Sequence, residues 1–282
     1  MRDKCILITG GTGTLGKALL RRLYDDNHIV IYSRDEYKQV ELHKEYPNAD
    51  FYIGDIRDKD RLRIATTGID IIIHAAALKH TTNNEENPYE AVKTNVMGTQ
   101  NVIDCTAEHE IAQVLLISTD KAVQPVNLYG ATKMCAERMI KQANIESMHL
   151  TFKYVRYGNV WGSRGSVLEK WLESVRKDEP FNVRNPDSTR FHITQDQAVD
   201  LVLHSLEGDL MENVPTNLPA YRLGDLADEF SKLVLKPYNI IDQLPGEKLH
   251  ESLDYTISSE HAQKLSNKTL NSMIHEWLKE NY

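Results

Sequence analysis

Tyr129 and Lys133 stand four residues apart in Leu128-Tyr-Gly-Ala-Thr-Lys133, so on a helix their side chains share one face. A tyrosine with a reference pKa near ~10 is a poor base at neutral pH, but an adjacent ammonium stabilises its phenolate. Such a pair can take the proton of an alcohol. Upstream, in Leu116-Ile-Ser-Thr-Asp-Lys-Ala, Thr119 can supply a hydroxyl that orients the same alcohol. A Tyr-x-x-x-Lys spacing also arises by chance on an ordinary amphipathic helix, and adjacent Asp120 and Lys121, taken alone, read as a solvated loop. The chemical reading therefore needs a second, independent feature.

That feature lies near the start of the chain, where the apolar run Cys5–Thr9 passes into Gly10-Gly-Thr-Gly-Thr-Leu-Gly16. Gly10 permits a tight turn, Gly13 lets the backbone approach a pyrophosphate, and Gly16 lets the following helix lie close to a sheet. Strand, turn and helix occur in the order that dinucleotide binding requires. Gly10, Thr12, Gly13, Thr14, Leu15 and Gly16 are thus the candidate phosphate cradle, against the plainer alternative of a flexible turn. The second apolar run ends Ile31-Tyr-Ser-Arg34-Asp35, where the adenosine ribose would lie. An acid there suits a free 2′-hydroxyl, whereas Ser33 and Arg34 suit a 2′-phosphate. The reading favours NADP, with a merely solvated Arg34 as the alternative. Asp55, beside Ile56, is placed either to meet the adenine or to cap the next helix. Tyr129 and Lys133 also border the cofactor in this reading, as do Ala75, Lys79 and Asn95, although Asn95 can instead bridge backbone groups.

The elements that must position these residues follow from periodicity. Short β-branched runs at Cys5–Thr9, Ile29–Ser33, Asp50–Ile53, Ile69–His74, Val114–Ser118 and Leu150–Tyr157 alternate with helical stretches at Leu15–Tyr24, Pro88–Glu108 and Leu128–Gln142. This is the pattern of an α/β, doubly wound parallel sheet of the Rossmann type, its strands buried on both faces. After residue 160 the alternation fades into Gly- and Pro-broken pieces. The chain therefore divides into a cofactor domain, 1–160, and a smaller C-terminal substrate lobe, 161–282, with some segments expected to return to the first. Leu270, Met273, Ile274, Trp277 and Leu278 form one apolar helical stripe near the end.

Composition narrows the function classes. With 41% hydrophobic and 26% charged residues in 282, the chain is an ordinary globular one. A net charge of -8 argues against nucleic acid or an anionic membrane surface, which select a basic face. The longest apolar stretch, Ile69–Leu78, contains Asp70 and His74 and cannot span a bilayer. A soluble cytoplasmic protein is expected. Three scattered cysteines and the absence of His-Glu-x-x-His or a Cys-x-x-Cys pair give no support to a metal site.

Taken together, these motifs resemble the extended short-chain dehydrogenase/reductase family. Within it, Ser118-Thr-Asp-Lys-Ala, Leu128-Tyr-Gly-Ala-Thr-Lys, Arg156-Tyr-Gly-Asn-Val and Gly162-Ser-Arg-Gly-Ser-Val look like the soluble inverting UDP-N-acetylglucosamine 4,6-dehydratases. Ser33-Arg-Asp-Glu, Ala75-Ala-Ala-Leu-Lys79, Lys93-Thr-Asn-Val-Met-Gly98, Thr189-Arg-Phe-His-Ile-Thr and Pro245-Gly-Glu-Lys-Leu-His-Glu251 match as well, so the resemblance runs from about residue 5 to 251. It implies that Tyr129 deprotonates the carbon 4 hydroxyl, Lys121 removes the carbon 5 hydrogen and Asp120 protonates the departing carbon 6 hydroxyl. Membrane-bound relatives that retain configuration typically carry a methionine where Tyr129 stands. The resemblance directs Arg190 at the sugar-nucleotide diphosphate and places Asn159, Arg164 and Lys79 near the same ligand; Asn159 and Arg164 can equally be structural. One departure is Leu244, where the family usually has arginine. A homo-oligomer is expected. The alternatives are an epimerase or 4-keto reductase on a related nucleotide sugar, and a catalytically silent NADP-binding regulator, which would not need Thr119, Asp120, Lys121, Tyr129 and Lys133 together.

Overall fold

The computed structural model describes residues 1–282. In chain order the elements are β1 (Cys5–Thr9), α1 (Thr14–Leu23), β2 (His28–Ser33), α2 (Glu36–Glu45), β3 (Asp50–Ile53), α3 (Lys59–Ala65) and β4 (Ile71–His74). There follow α4 (Thr81–Glu86), α5 (Pro88–Val92), α6 (Gly98–Glu108), β5 (Gln113–Ile117), α7 (Leu128–Glu146), β6 (Thr151–Val155) and β7 (Asn159–Val160). The remainder comprises α8 (Val167–Arg176), β8 (Phe181–Arg184), β9 (Thr189–Ile193), α9 (Gln195–Glu207), β10 (Glu212–Asn213), β11 (Ala220–Arg222), α10 (Leu223–Val234), β12 (Tyr238–Ile241) and α11 (Asn267–Asn281). No helix is long and apolar enough to cross a membrane.

The chain forms two compact units. The first comprises 1–156 and 195–214, the second 157–194 and 215–282. In the first, seven strands pair in the order β10-β6-β5-β4-β1-β2-β3. Every pairing is parallel. Because crossover helices cover both faces of such a sheet, its central strands are apolar: Ile6, Leu7, Ile8, Ile72, Ile73, Leu115 and Leu116 are all fully buried. The strand order reverses between β1 and β4, which places the carboxyl ends of those strands at the switch point where ligands bind in this architecture.

The stretch read as one helix, Pro88–Glu108, is interrupted. A π-helical turn at Lys93–Met97 separates α5 from α6, and such turns concentrate at functional sites. Periodicity taken over the whole stretch does not mark it. In the second unit, β11-β9-β7 and β12-β8 form two small sheets. Trp171, Phe181 and Phe230 pack with ring centroids 4.8–5.5 Å apart. Leu270, Ile274 and Trp277 of α11 are buried in the same core, so the terminal stripe is a docked face.

Candidate active site

At the end of β1 the chain turns sharply, with Gly10 at φ +69° and its N–H donating to the Tyr32 carbonyl at 2.8 Å. A Cβ on Gly10 would lie 2.9 Å from the Ala76 nitrogen, and one on Gly16 would lie 2.5 Å from the Gly11 backbone. Both glycines are therefore required by packing within the turn. Gly13 differs: a Cβ there would meet only the Gly10 carbonyl, at 3.2 Å, and Gly13 is exposed. It precedes α1 without any side-chain cap, so the first turn of the helix presents its N–H groups, those of Leu15 and Gly16 among them, to whatever lies ahead of it. Thr12 is buried within the turn. The space outside Gly13 and the uncapped helix start fit a pyrophosphate.

At the end of β2, Ser33 is buried and its hydroxyl is held by the Gln39 amide at 2.9 Å. The Asp35 carboxylate caps α2, accepting from the Lys38 N–H at 3.1 Å, and is also paired with the Lys38 ammonium. Arg34 remains more than half exposed, with Asp55 at 3.7 Å. Of the two roles open to Asp55, capping is taken by Asp58, which accepts from the Arg61 N–H. Burial raises the Asp55 carboxyl, but Arg57, bound through its N–H at 3.0 Å and Nε at 2.9 Å, outweighs that and holds it below the usual range. Ile56 is buried against Gly98.

The end of β5 carries the densest chemistry. Thr119 leads into a single 3-10 turn, Asp120–Ala122, and its hydroxyl donates to Asp120 Oδ1 at 3.0 Å. Asp120 is fully buried, and the same Oδ1 accepts from Lys121 Nζ at 2.9 Å. The pair is therefore built into the site and is not a solvated loop. Tyr129 is the second residue of α7, which Asn127 caps by accepting from the Gly130 N–H at 2.8 Å. Withdrawal from water raises the Tyr129 phenol; the Lys121 ammonium and a hydrogen bond with Thr119 pull it back, and Asp120 pushes it up again. Lys121 thus acts on Tyr129 from the end of β5, while Lys133, which the spacing marks, follows one turn along α7. Lys133 is 3% exposed, and burial lowers it to about 8.

Behind these groups runs a buried polar chain that spacing does not reveal. His74 Nδ1 lies 2.7 Å from Thr9 Oγ1, and Nε2 lies 3.1 Å from Thr99 Oγ1. Thr99 donates its one proton to the Asn95 carbonyl at 2.7 Å, so it must accept from His74 Nε2–H. Nδ1 is then bare and accepts from Thr9, whose oxygen also takes the Ala76 N–H at 3.2 Å. Burial lowers His74 to about 3, with Lys133 adding to the effect, so the imidazole is neutral. The signal was present in Ile71-Ile-Ile-His74, a histidine ending an otherwise apolar buried strand. Asn95, in the π turn, uses its side chain fully within the protein. It accepts from the Leu78 N–H at 2.8 Å and donates to the Leu78 carbonyl and to Thr132 Oγ1, both at 3.0 Å. Asn95 therefore fixes the loop 75–79, which carries Ala75 and exposed Lys79, to the helix that carries Lys133.

The remaining substrate candidates belong to the second unit. Asn159 begins β7 and is half-buried; Arg164 is exposed in the turn after Gly162. Arg190 on β9 is tethered by its Nη1 to the carbonyls of Thr189, at 2.8 Å, and Leu249, at 3.2 Å. Leu244 stands in a turn closed by the Glu247 N–H donating to its carbonyl at 3.1 Å.

A parallel, doubly wound sheet with this turn after its first strand and Thr119, Tyr129 and Lys133 around the end of its fifth defines a short-chain dehydrogenase/reductase. The chain belongs to the family described as "Polysaccharide biosynthesis protein", whose model matches residues 6–273. It is 42% identical over 262 residues to a UDP-N-acetylglucosamine 4,6-dehydratase (inverting) from Campylobacter jejuni, covering 88% of this chain and 76% of that one. It is 38% identical over 277 residues to a UDP-glucose 4-epimerase from Rickettsia canadensis, covering 93% and 80%. The solved structure of Pen from Bacillus thuringiensis superimposes with a TM-score of 0.92 at 32% identity, covering 99% of this chain and 98% of that one.

Proposed function

We propose that this protein is an NADP-dependent UDP-N-acetylglucosamine 4,6-dehydratase of the inverting type, acting on a soluble nucleotide sugar. The observation that carries the reading is the fully buried Asp120 hydrogen-bonded to Lys121 at 2.9 Å beside Thr119 and Tyr129. An epimerase or simple reductase has no use for an acid and a base at that point. The similarity to the inverting dehydratase supports the same substrate class.

The residues that would hold the cofactor are Gly10 to Gly16 at its phosphates, Ser33 and Arg34 at the ribose, Asp55 and Ile56 at the adenine, and Tyr129 and Lys133 at the nicotinamide end. When bound, the cofactor supplies a reversible two-electron store, taking a hydride from carbon 4 and giving it back at carbon 6. Preference for the 2′-phosphate is supported by Asp35, which is occupied as a helix cap, and by Arg34, which is exposed.

Tyr129 accepts the carbon 4 hydroxyl proton, and Thr119, already hydrogen-bonded to Tyr129, orients that hydroxyl. The resulting ketone acidifies the hydrogen on carbon 5. Lys121 in its neutral form takes that proton, and protonated Asp120 gives its own to the carbon 6 oxygen, which leaves as water; as carbon 6 is reduced, carbon 5 takes up a proton, balanced by the one Tyr129 releases, and the lysine proton passes back to Asp120. The neutral pair and the ion pair differ only in the position of one proton along the 2.9 Å hydrogen bond. The ion pair, Lys121 ammonium against Asp120 carboxylate, acts on Tyr129 during oxidation; burial of Asp120 lowers the cost of passing to the neutral pair for elimination.

Mass spectrometry of purified protein incubated with UDP-N-acetylglucosamine and NADP tests the reading. The loss of one water is expected. Conversion of the sugar to its carbon 4 epimer without mass change would replace this reading with epimerisation, which the similarity to a UDP-glucose 4-epimerase makes the second choice.

A further inference from the structure

Glu137 lies on α7 one turn beyond Lys133 and two beyond Tyr129, and it is 3% exposed. Its carboxylate accepts three hydrogen bonds: from Ser118 Oγ at 2.5 Å, Arg156 Nε at 2.8 Å and Arg156 Nη2 at 2.7 Å. Arg156 also donates to Glu212 at 2.9 Å and lies over the Tyr154 ring at 5.2 Å. Four elements, α7, the carboxyl ends of β5 and β6, and the start of β10, are thereby clamped together, and Ser118 directly precedes Thr119.

Two buried groups here raise the same electrostatic question. A carboxylate out of water is costly unless paired and hydrogen-bonded, and Glu137 is both. Lys133 is equally buried, and an ammonium there needs a negative charge nearby. His74 faces it from β4 as a neutral ring and supplies none. Glu137, one turn along the same face of α7 and equally buried, is the carboxylate placed to supply it, and it works against the burial that lowers Lys133. Lys133 and Arg156 against Glu137 and Glu212 make a cluster of two cations and two carboxylates.

We propose that Glu137 is a positioning residue, the fixed counter-charge that keeps Lys133 an ammonium, with Ser118 and Arg156 holding its carboxylate in place. The consequence for turnover rests on the active-site reading given above; the counter-charge itself does not.

The two are separated by watching Lys133 directly. In the whole protein labelled with carbon-13 at lysine Cε, the Lys133 resonance is assigned by its loss in Lys133→Met and titrated in the parent and in Glu137→Gln. Removing the charge at constant shape should move the Lys133 midpoint to lower pH by roughly one pH unit or more. Glu137→Asp should restore it at least in part. Arg156→Gln unmasks the carboxylate and should move the midpoint upward, a reversal of sign that loosened packing would not produce. Circular dichroism establishes that each variant is folded; if Glu137→Gln is not, the opposed shifts of Glu137→Asp and Arg156→Gln carry the test. An unmoved midpoint in folded Glu137→Gln, or a shift in the same direction for Glu137→Gln and Arg156→Gln, overturns the proposal. The alkaline limb of the kcat profile should follow the Lys133 midpoint. If the midpoint moves while that limb does not, the counter-charge stands and the place of Lys133 in catalysis falls.

Discussion

Asp120→Asn separates elimination from oxidation more cleanly than any other single change in the site. Asp120 is fully buried, and its Oδ1 takes hydrogen bonds from Thr119 at 3.0 Å and Lys121 at 2.9 Å. Asparagine keeps the shape and that acceptor, so the stability cost is the difference between charge-assisted and neutral hydrogen bonds, about 1–2 kcal/mol. The proton donor for the departing hydroxyl is lost, which costs elimination about 10²–10⁴ in rate, or about 3–5 kcal/mol of barrier. Oxidation responds in the opposite sense. Asp120 is one of the groups that raise the Tyr129 phenol, so its removal lowers that group, and the oxidation step should reach its plateau at lower pH than in the parent. In a single turnover, reduced nicotinamide should therefore accumulate, by absorbance, while mass spectrometry finds almost no dehydrated sugar. Tyr129→Phe is the control and should yield neither. Lys121→Met is a less selective probe, because Lys121 is also the cation that pulls Tyr129 down; both steps should suffer. Dehydrated product formed by Asp120→Asn within about tenfold of the parent rate would refute the acid role.

Arg34→Ala should weaken NADP binding by about 1–3 kcal/mol and leave NAD nearly unchanged; equal losses by calorimetry would sink the assignment of the ribose end. Gly13→Ala should fold normally and lose cofactor affinity, since its Cβ meets only one carbonyl at 3.2 Å, whereas Gly16→Ala, at 2.5 Å from backbone, should lower Tm outright. Thermal melts with and without cofactor distinguish the two, and similar melting losses for both would contradict the packing account. Burial depresses His74 to about 3 and His192 to about 4 from an ordinary 6.5. Between those values the unfolded chain binds more protons, so their contribution is complete above pH 6.5 and is lost as pH falls, by roughly 3 kcal/mol each at pH 4. Urea unfolding at pH 7 and pH 4 measures it, and equal stabilities would show that these histidines are not buried neutral.

The sheet was legible in the sequence because burial on both faces of a parallel strand leaves an uninterrupted apolar run, and β1 falls on the residues that this rule marks; β3, partly exposed at the sheet edge, was marked by its flanks and aromatic content. The glycine turn was legible for a similar reason: Gly10 at positive φ and Gly16 against the Gly11 backbone tolerate no other side chain. Local constraints of this kind are written in residue type. The roles of charged and polar groups are not, because they depend on which strands become neighbours. Tyr129 and Lys133 announce a pair by spacing, but only the end of β5, packed beside the start of α7, brings Lys121 to bear on the phenol as well. Asp120 and Lys121 read as a loop until the 3-10 turn withdrew the carboxylate from water. His74 lies 65 residues from Thr9 and 25 from Thr99, its two partners, and only the adjacency of β1, β4 and the helix that follows the π turn joins them. Side-chain chemistry is fixed residue by residue, whereas the electrostatic environment that selects which proton moves is a sum over neighbours, and the neighbours are chosen by the fold.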